Sequence, residues 1–294
     1  MHADSLAIDV AAIRRQLAEQ TPLWADLPMH RINSSGTDNA LFRLGNELLL
    51  RLPLRESAIA FLSKELDWLP RLIGLPLAIP RLRHRGGINL GQPCEFGIFD
   101  WIDGAIATPE AIGDADEAAV ALAVFIKALH RQPTEGAPVS GPLNSRRGVP
   151  LSEMTQATLS SINLLADEID TRAAKDLWAS VVDERHRSEP VWLHGDLKGD
   201  NLLAKDGRLV AVIDWGLSAV GDPAADHAAA WTWIQPSSRK QFRDALELDD
   251  GDWQRAKGWA LYGAVIALSY YRGGKNEALC RQCRLTLSRL GLLL

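Results

Sequence analysis

Three oxygen-bearing side chains at fixed spacing form the part of the sequence best suited to chemistry. Asp196 and Asn201 lie in the stretch LHGDLKGDNLL, where ionisable and amide groups crowd between apolar runs, and Asp214 ends the apolar stretch that follows. The pair Asp206-Gly207 separates two apolar runs between them, and such a pair is a strong signal for the turn of a β-hairpin. Because a hairpin returns the chain to its starting point, we expect Asp196, Asn201 and Asp214 to lie in one small neighbourhood.

Two carboxylates and a carboxamide oxygen suit two kinds of chemistry. They are hard ligands of the kind that Mg²⁺ prefers, since this ion takes a few protein oxygens and keeps its other positions for water or phosphate. One carboxylate can also stand apart to orient a hydroxyl group or to accept its proton. The structural alternative is turn capping, a frequent role of aspartate and asparagine. The convergence of three such side chains favours chemistry over capping.

The elements that position these groups divide the chain into two parts. Strand patterns dominate the first hundred residues, with a hairpin at 39–52 that turns through a two-residue link at Gly45-Asn46. A helical pattern begins at Ser57, and helical patterns predominate after residue 104. The sequence therefore predicts an α+β fold made of three parts. These are a small β-rich amino-terminal lobe at 1–99, a hinge at 100–104 and a larger, mainly helical carboxy-terminal lobe at 105–294.

Composition narrows the class of protein and its partners. The 294 residues are 47% hydrophobic and 23% charged, which is ordinary for a folded domain, and the net charge of −5 argues against a nucleic acid partner. The chain shows neither a secretory signal nor an apolar run long enough for a membrane helix. Its three cysteines fit reduced thiols. We expect a cytoplasmic protein, a monomer or weak dimer, with no membrane partner.

The motif H-G-D-x-x-x-x-N at His194–Asn201 resembles the catalytic loop of the aminoglycoside phosphotransferase family. It is also similar to the H-R-D-x-x-x-x-N loop of protein kinases, and Asp214-Trp215-Gly216 stands where those kinases have D-F-G. The segment GDPAAD (221–226) resembles the family's segment after the metal-binding aspartate. Two motifs in the right order make chance agreement improbable. The resemblance covers residues 30–230 and implies a bilobal, protein-kinase-like fold.

The resemblance also implies a role for each residue of the loop. Asp196 would orient the acceptor hydroxyl and take its proton, while Asn201 and Asp214 would hold Mg²⁺ against the nucleotide phosphates. Lys198 would lie near the transferring phosphoryl group, with an ordinary surface lysine as the alternative. His194 is expected to brace the loop rather than to carry a proton.

The amino-terminal lobe is expected to bind the nucleotide phosphates. The sequence contains neither G-x-x-x-x-G-K-[ST] nor G-x-G-x-x-G, which excludes a P-loop and a Rossmann site. Ser35 and Gly36 lie in a loop of small residues whose backbone N–H groups could approach phosphate oxygens, unless the loop is a plain turn. The resemblance places a phosphate-binding cation at Arg51, paired with Glu65 on the following helix. The alternative for Arg51 is an edge-strand salt bridge.

The stretch IFDWIDG (98–104) resembles the family's hinge. Backbone groups near Asp100 and Ile102 would bond the edge of a purine, and Phe99 or Trp101 would offer apolar contact. Both aromatic residues could equally be core packing.

The acceptor is the least determined part of the prediction. The stretch LELDDGDW supplies four carboxylates that would attract a polycation, unless it is a solvated loop that caps the following helix. We expect a kinase that moves the γ-phosphoryl group of ATP or GTP, with Mg²⁺, to a hydroxyl of a small molecule, foremost an aminoglycoside-type antibiotic. Two alternatives stay open: a metabolite kinase of the homoserine, choline or fructosamine type, and a non-catalytic nucleotide-binding pseudokinase. The intact Asp196, Asn201 and Asp214 argue against the pseudokinase.

Overall fold

The computed structural model describes residues 5–32, 36, 38–184 and 189–294. The chain forms two compact units. One comprises Met1–Ile73 and Ala78–Asp103, and the other comprises Gly74–Leu77 and Gly104–Leu294. The first is built mainly on a sheet and the second mainly on helices, which confirms the predicted α+β class.

The first unit is a twisted antiparallel sheet with two helices. Its elements are α1 (Val10–Gln20), β1 (Met29–Ile32), β2 (Asn39–Leu44), β3 (Leu48–Pro53), α2 (Glu56–Trp68), β4 (Leu82–Asn89) and β5 (Pro93–Asp100). The five strands lie in the order β1-β2-β3-β5-β4. Side chains alternate between buried and half-buried along β2, as expected for a strand with one face on a core. Phe42, Leu50 and Ile98 form that core with Ile13 and Leu17 of α1.

Two details of this unit differ from the sequence-based expectation. Leu44 pairs with Leu48, so the link between β2 and β3 has one residue more than the predicted pair, and Gly45 begins it at a φ of 55°. Helix α2 begins at Glu56, after Arg55 at the N-cap, rather than at Ser57. Its buried face includes Glu65, which therefore points towards the sheet.

The second unit surrounds two small sheets with helices, and these sheets have two and three strands. Its elements are β6 (Ala105–Ile106), α3 (Ala115–His130), α4 (Thr155–Leu164), α5 (Thr171–Val181), β7 (Val191–Leu193), β8 (Leu202–Lys205), β9 (Arg208–Val212), β10 (Ala219–Gly221), α6 (Ala224–His227), α7 (Ala229–Thr232), α8 (Arg239–Leu246), α9 (Asp250–Tyr271) and α10 (Glu277–Arg289). Helix α9 is central, since α4, α5, α6 and α10 all pack against it. No helix in the described ranges combines the length and the apolar character needed to cross a membrane.

The predicted hairpin is present as β8 and β9. Lys205 pairs with Arg208 across a two-residue turn, and both turn residues, Asp206 and Gly207, have positive φ values of 51° and 78°. Two successive positive φ values are what a type I′ turn requires, and this turn matches the twist of the strands. At the open end, the Ile213 N–H donates to the Asn201 carbonyl at 2.9 Å. The hairpin therefore carries Asp214 back to the end of the loop that contains Asn201.

Candidate catalytic site

The loop between β7 and β8 is held in place by a buried aspartate. Asp226, in α6, accepts the backbone N–H groups of His194 and Gly195 at 2.6 and 2.7 Å. Gly195 has a φ of 83°, and a Cβ there would lie 2.5 Å from the Leu217 carbonyl oxygen, so only glycine fits. Burial raises the pKa of Asp226 to about 7, although the two N–H donors oppose the shift. The glycine of the H-G-D motif is therefore required by the backbone conformation and by the close approach of Leu217.

His194 links the loop to the end of the hairpin. Its side chain is inaccessible to solvent, its Nδ1 accepts the Asp196 N–H at 3.2 Å, and its Nε2 lies 3.0 Å from the Ile213 carbonyl. An accepting Nδ1 requires the proton to be on Nε2, so this ring is neutral and donates to Ile213. Burial lowers the pKa of His194 against the opposing charges of Asp196 and Asp214. Trp215 packs edge-on against the ring, with the two centroids 4.9 Å apart.

Asp196 is the centre of a polar cluster at the end of the loop. Lys198 Nζ lies 2.8 Å from Oδ2, and Asn201 Nδ2 lies 2.9 Å from the same oxygen. Burial acts to raise the pKa of Asp196, but the charges of Lys198 and Arg147 outweigh it and lower the pKa. The carboxyl group is therefore ionised at neutral pH and able to accept a hydrogen bond from a hydroxyl group.

The geometry around Asn201 fixes which way its amide points. Its nitrogen donates both to the Asp196 carbonyl and to Asp196 Oδ2, each at 2.9 Å. Two acceptors on one side require the NH₂ group there, which turns Oδ1 away from Asp196. The amide oxygen is thus left to serve as a ligand for a cation.

Asp214 lies two residues after the end of β9 and has a φ of 67°, a left-handed conformation that is uncommon for residues other than glycine. Its charge and that of Asp196 overcome burial and raise the pKa of Lys198. Within the described part of the chain, no group of three or more His, Cys, Asp or Glu residues could hold a metal ion. Two oxygen ligands, one from Asn201 and one from Asp214, nevertheless suit Mg²⁺, which commonly fills its remaining positions with phosphate oxygens and water.

Two residues of this site escape prediction from the sequence. Arg147 lies in the long loop before α4, and its charge acts on Asp196 across a separation of 49 residues. Its guanidinium lies 5.2 Å from the centroid of Tyr262. Asp226 belongs to the GDPAAD segment that carries part of the family resemblance, yet nothing in that segment indicates that it holds the loop between β7 and β8. Only the folded chain shows these contacts.

In the sheet unit, Arg51 and Glu65 form a buried ion pair. Arg51 Nη1 lies 2.6 Å from Glu65 Oε1, and the side chains are 5% and 0% exposed. The pair joins β3 to α2, as predicted, and it lies inside the sheet unit rather than at an exposed edge. Gly36 is exposed, whereas Ser35 lies outside the described residues.

The two predicted hinge residues, Asp100 and Ile102, differ in the hydrogen bonds that their backbone groups make within the protein. The Asp100 N–H donates to the Arg81 carbonyl at 3.0 Å and so is not available to a purine. The backbone of Ile102 makes no hydrogen bond to any residue that the structure describes. Phe99 is fully buried and therefore belongs to the core, and the Arg43 guanidinium lies 3.8 Å from the centroid of Trp101.

Every carboxylate in the acidic stretch at the start of α9 makes a contact that supports the fold. Three form ion pairs and the fourth caps a helix: Glu247 with Lys127, Asp250 with Arg243, Asp252 with Arg255, and Asp249 with the N–H of Asp252. Asp249 and Asp252 bond each other reciprocally as a capping box. The helix-capping alternative for this stretch is therefore the one that the contacts support.

Comparison with known proteins agrees with this geometry. The chain is 31% identical to the aminoglycoside 3'-phosphotransferase of Escherichia coli over 142 residues, which are 45% of this chain and 50% of that protein. The chain thus matches about half the length of this relative. The solved GDP complex of aminoglycoside 2'-phosphotransferase-IIIa is 19% identical, with a TM-score of 0.73 over 97% of this chain and 99% of that one. Macrolide 2'-phosphotransferase type I is 20% identical, with a TM-score of 0.60 over 96% and 98%.

The two solved structures show that the predicted fold is correct. The sequence profile of the phosphotransferase enzyme family matches residues 30–259, which include both the Arg51–Glu65 pair and the Asp196 cluster. The chain therefore belongs to the phosphotransferase enzyme family, in agreement with its resemblance to the aminoglycoside phosphotransferases.

Proposed function

We propose that this protein transfers the γ-phosphoryl group of ATP or GTP to a hydroxyl group of a small molecule, foremost an aminoglycoside-type antibiotic. The observation that carries the proposal is the hydrogen-bonded cluster of Asp196, Lys198 and Asn201 at the open end of the hairpin that supplies Asp214. A structural turn would not need an ionised, partly exposed carboxylate that is bonded both by a cation and by a carboxamide N–H group.

In this reaction Asp196 acts on the acceptor. Its lowered pKa keeps it ionised, so it accepts a hydrogen bond from the hydroxyl group and orients the oxygen towards the phosphorus. As the new P–O bond forms, the bond between the γ-phosphorus and the bridging oxygen breaks, the nucleoside diphosphate leaves, and the hydroxyl proton passes to Asp196. Lys198 lies 2.8 Å from this carboxylate, where its charge also offsets negative charge on the transferring group.

Asn201 and Asp214 are the residues that would hold Mg²⁺. The bound ion would neutralise charge on the nucleotide phosphates. Asn201 fits this role because its amide nitrogen is committed to Asp196 and its oxygen is not. Asp214 fits because the hairpin fixes its position at the end of β9.

In the sheet unit, we assign Arg51 to the nucleotide phosphates, with Glu65 holding its guanidinium in place. Ile102 has a backbone N–H and carbonyl available for a purine edge, and at Asp100 only the carbonyl can take part. Ser35 and Gly36 are proposed to approach phosphate oxygens through their backbone. Four further points stay predictions. These are the lobe limits at 1–99, 100–104 and 105–294, the cytoplasmic location, the absence of a nucleic acid partner, and the monomeric or weakly dimeric state.

A metabolite kinase is the second candidate, and the acidic stretch before α9 favours it. Its four carboxylates are already engaged by cations or by a helix terminus, which weakens the predicted attraction for a polycation. An acceptor such as homoserine, choline or a fructosamine needs no such cluster.

The test is a transfer assay against a panel of acceptors. Purified protein is incubated with ATP or GTP, Mg²⁺ and one acceptor at a time, drawn from aminoglycosides, macrolides, homoserine, choline and fructosamines. We expect nucleoside diphosphate and a phosphorylated product with one acceptor class, and an aminoglycoside product would separate the first candidate from the second. Nucleotide binding without transfer to any acceptor, unaltered by Asp196→Ala, would leave only the pseudokinase.

A further inference from the structure

A cavity of about 350 Å³ in the helical unit contains none of the residues assigned above. Trp231 and Trp253 form its aromatic wall, with ring centroids 4.6 Å apart, and two leucines extend the apolar surface. Arg239, Lys257 and Arg289 also line it. The volume is in the range of ~300–1,000 Å³ that is usual for small-molecule sites. The cavity therefore combines a flat apolar surface with three cations.

The two arginines are bound to backbone carbonyls and not to carboxylates. Arg239 Nε donates to the Ala230 carbonyl at 2.7 Å, and Arg289 Nη1 donates to the Trp231 carbonyl at 3.1 Å. Arg239 Nη2 is buried and has no hydrogen-bond partner in the described ranges. A buried donor without an acceptor is rare, so this nitrogen marks the place of an acceptor that the described residues do not supply.

The charges in this cavity differ from those elsewhere on the same helices. Arg255 of α9 and Arg284 of α10 each pair with a carboxylate. Arg239, Lys257 and Arg289 form no such pair with any carboxylate that the structure describes. Burial lowers the pKa of Arg239, and burial together with the Arg239 charge lowers that of Arg289. Neighbouring cations without an anion are unfavourable, and a bound anion would relieve their repulsion.

We propose that this cavity binds a small anionic molecule with a flat apolar body. The carboxylate or phosphate group would lie between Arg239 and Arg289, whose forked donors match the geometry of both anions. The apolar body would stack on Trp253, and Lys257 would add a third positive charge. This site goes beyond the proposed phosphotransfer, because none of its residues belongs to the Asp196 cluster.

Helix α7, which supplies Trp231 to this cavity, also contacts the loop that carries Asp196. The Trp231 carbonyl accepts a hydrogen bond from Arg289. The next residue, Thr232, donates from Oγ1 to the Leu197 carbonyl at 2.8 Å. A ligand that fixes Arg289 would therefore restrain the helix that supports the loop carrying Asp196.

The test measures binding to the full chain in the absence of nucleotide and Mg²⁺, so that its result does not depend on phosphotransfer. Titration calorimetry compares phenyl phosphate and benzoate with inorganic phosphate, which lacks the apolar body, and with benzyl alcohol, which lacks the charge. We expect phenyl phosphate and benzoate to bind at least tenfold more tightly than either control. Comparable binding of benzyl alcohol, or no binding of either aromatic anion, would overturn the proposal.

Three variants locate the site. Arg289→Gln should weaken phenyl phosphate binding about ten- to hundredfold. Lys257→Gln, at a side chain with no ion pair to maintain, should weaken it about two- to fivefold and keeps the test valid if Arg289→Gln fails to fold. The matched control is Arg281→Gln, which removes an exposed charge from the same helix as Arg289 and should leave affinity unchanged. Equal losses in Arg281→Gln and Lys257→Gln would show that only net charge matters and would contradict the site.

Discussion

Two stretches of the helical unit are rich in carboxylates, with two in 193–203 and four in 246–253, and they use them in opposite ways. In 193–203, the side chain of Asp196 is surrounded by groups of its own loop, namely Lys198 and the Asn201 amide. In 246–253, the carboxylates are distributed to cations on other helices and to the start of α9. By its larger number of carboxylates, the second stretch would be chosen as the site of chemistry. Its contacts, however, are those of a segment that holds helices together.

The difference lies in what holds each stretch in place. The 193–203 loop is positioned by a carboxylate from outside, Asp226, which bonds its backbone, while the side chains of Asp196, Lys198 and Asn201 bond within the loop. The 246–253 stretch is positioned by its own carboxylate side chains, each of which already bonds a cation or a helix N–H group. A polar stretch can do chemistry when its support comes from elsewhere in the fold. The following predictions test this contrast.

The largest effect is expected from Asp196→Ala. Loss of the group that orients and deprotonates the acceptor should lower kcat about 10²- to 10⁴-fold in the transfer assay. Asp250→Ala is the matched control, because it removes an aspartate that is 93% exposed from the other stretch. It should leave kcat unchanged. If both variants lost activity equally, the contrast between the stretches would be wrong.

Asp214→Ala should abolish the Mg²⁺-dependent part of nucleotide binding. Its carboxylate is the only charged ligand in the pair assigned to the ion, and an amide oxygen alone holds Mg²⁺ poorly. Titration calorimetry of ATP with and without Mg²⁺ measures the difference. Glu247→Ala, which removes a carboxylate from the second stretch, should retain the full dependence. Mg²⁺-dependent binding that survives in Asp214→Ala would refute the assignment.

Asp226 should make the stability of the protein depend on pH. Its pKa is raised to about 7 in the folded chain, against about 3.9 when unfolded, so the folded state binds more protons between these values. Its contribution to stability is therefore complete below pH 4 and is lost as the pH rises through 7, by up to about 4 kcal/mol. Asp226→Asn removes the titration.

Urea unfolding of both proteins between pH 4 and 8 tests this prediction. The free energy of unfolding of the wild type, relative to that of Asp226→Asn, should fall across this range. Parallel curves for the two proteins would show that the two N–H donors keep Asp226 ionised throughout.

The sequence predicts those parts of this site that are set by neighbours along the chain. The turn at Asp206-Gly207 has its own conformational preference, so the hairpin and the approach of Asp214 to Asn201 follow from local residues. The order of the motifs indicates the family and its fold. The pair of Arg51 with Glu65 follows from a strand and a helix that are adjacent in sequence.

What the sequence does not predict depends on contacts between distant segments. Nothing near Asp226 or Arg147 in the chain indicates that either acts on the 193–203 loop. Helix α1 buries only Ile13 and Leu17, too few for a clear periodic signal, and β4 is an edge strand with two exposed arginines. The choice between a polycation site and a helix cap at 246–253 required the positions of Lys127 and Arg255, which lie on separate helices.

The smallest effect is expected from Asp249→Ala, which tests the structural half of the contrast. Asp249 is the N-cap of α9, and its loss should lower the free energy of unfolding by about 1 kcal/mol, because the Asp252 N–H then has no acceptor. Urea unfolding measures the change, and Asp249→Ser, which can still cap, should recover most of it. Neither variant should alter kcat or the KM for the acceptor. A raised KM with unchanged stability would mean instead that the 246–253 stretch binds the acceptor and that its ion pairs open when the acceptor is present.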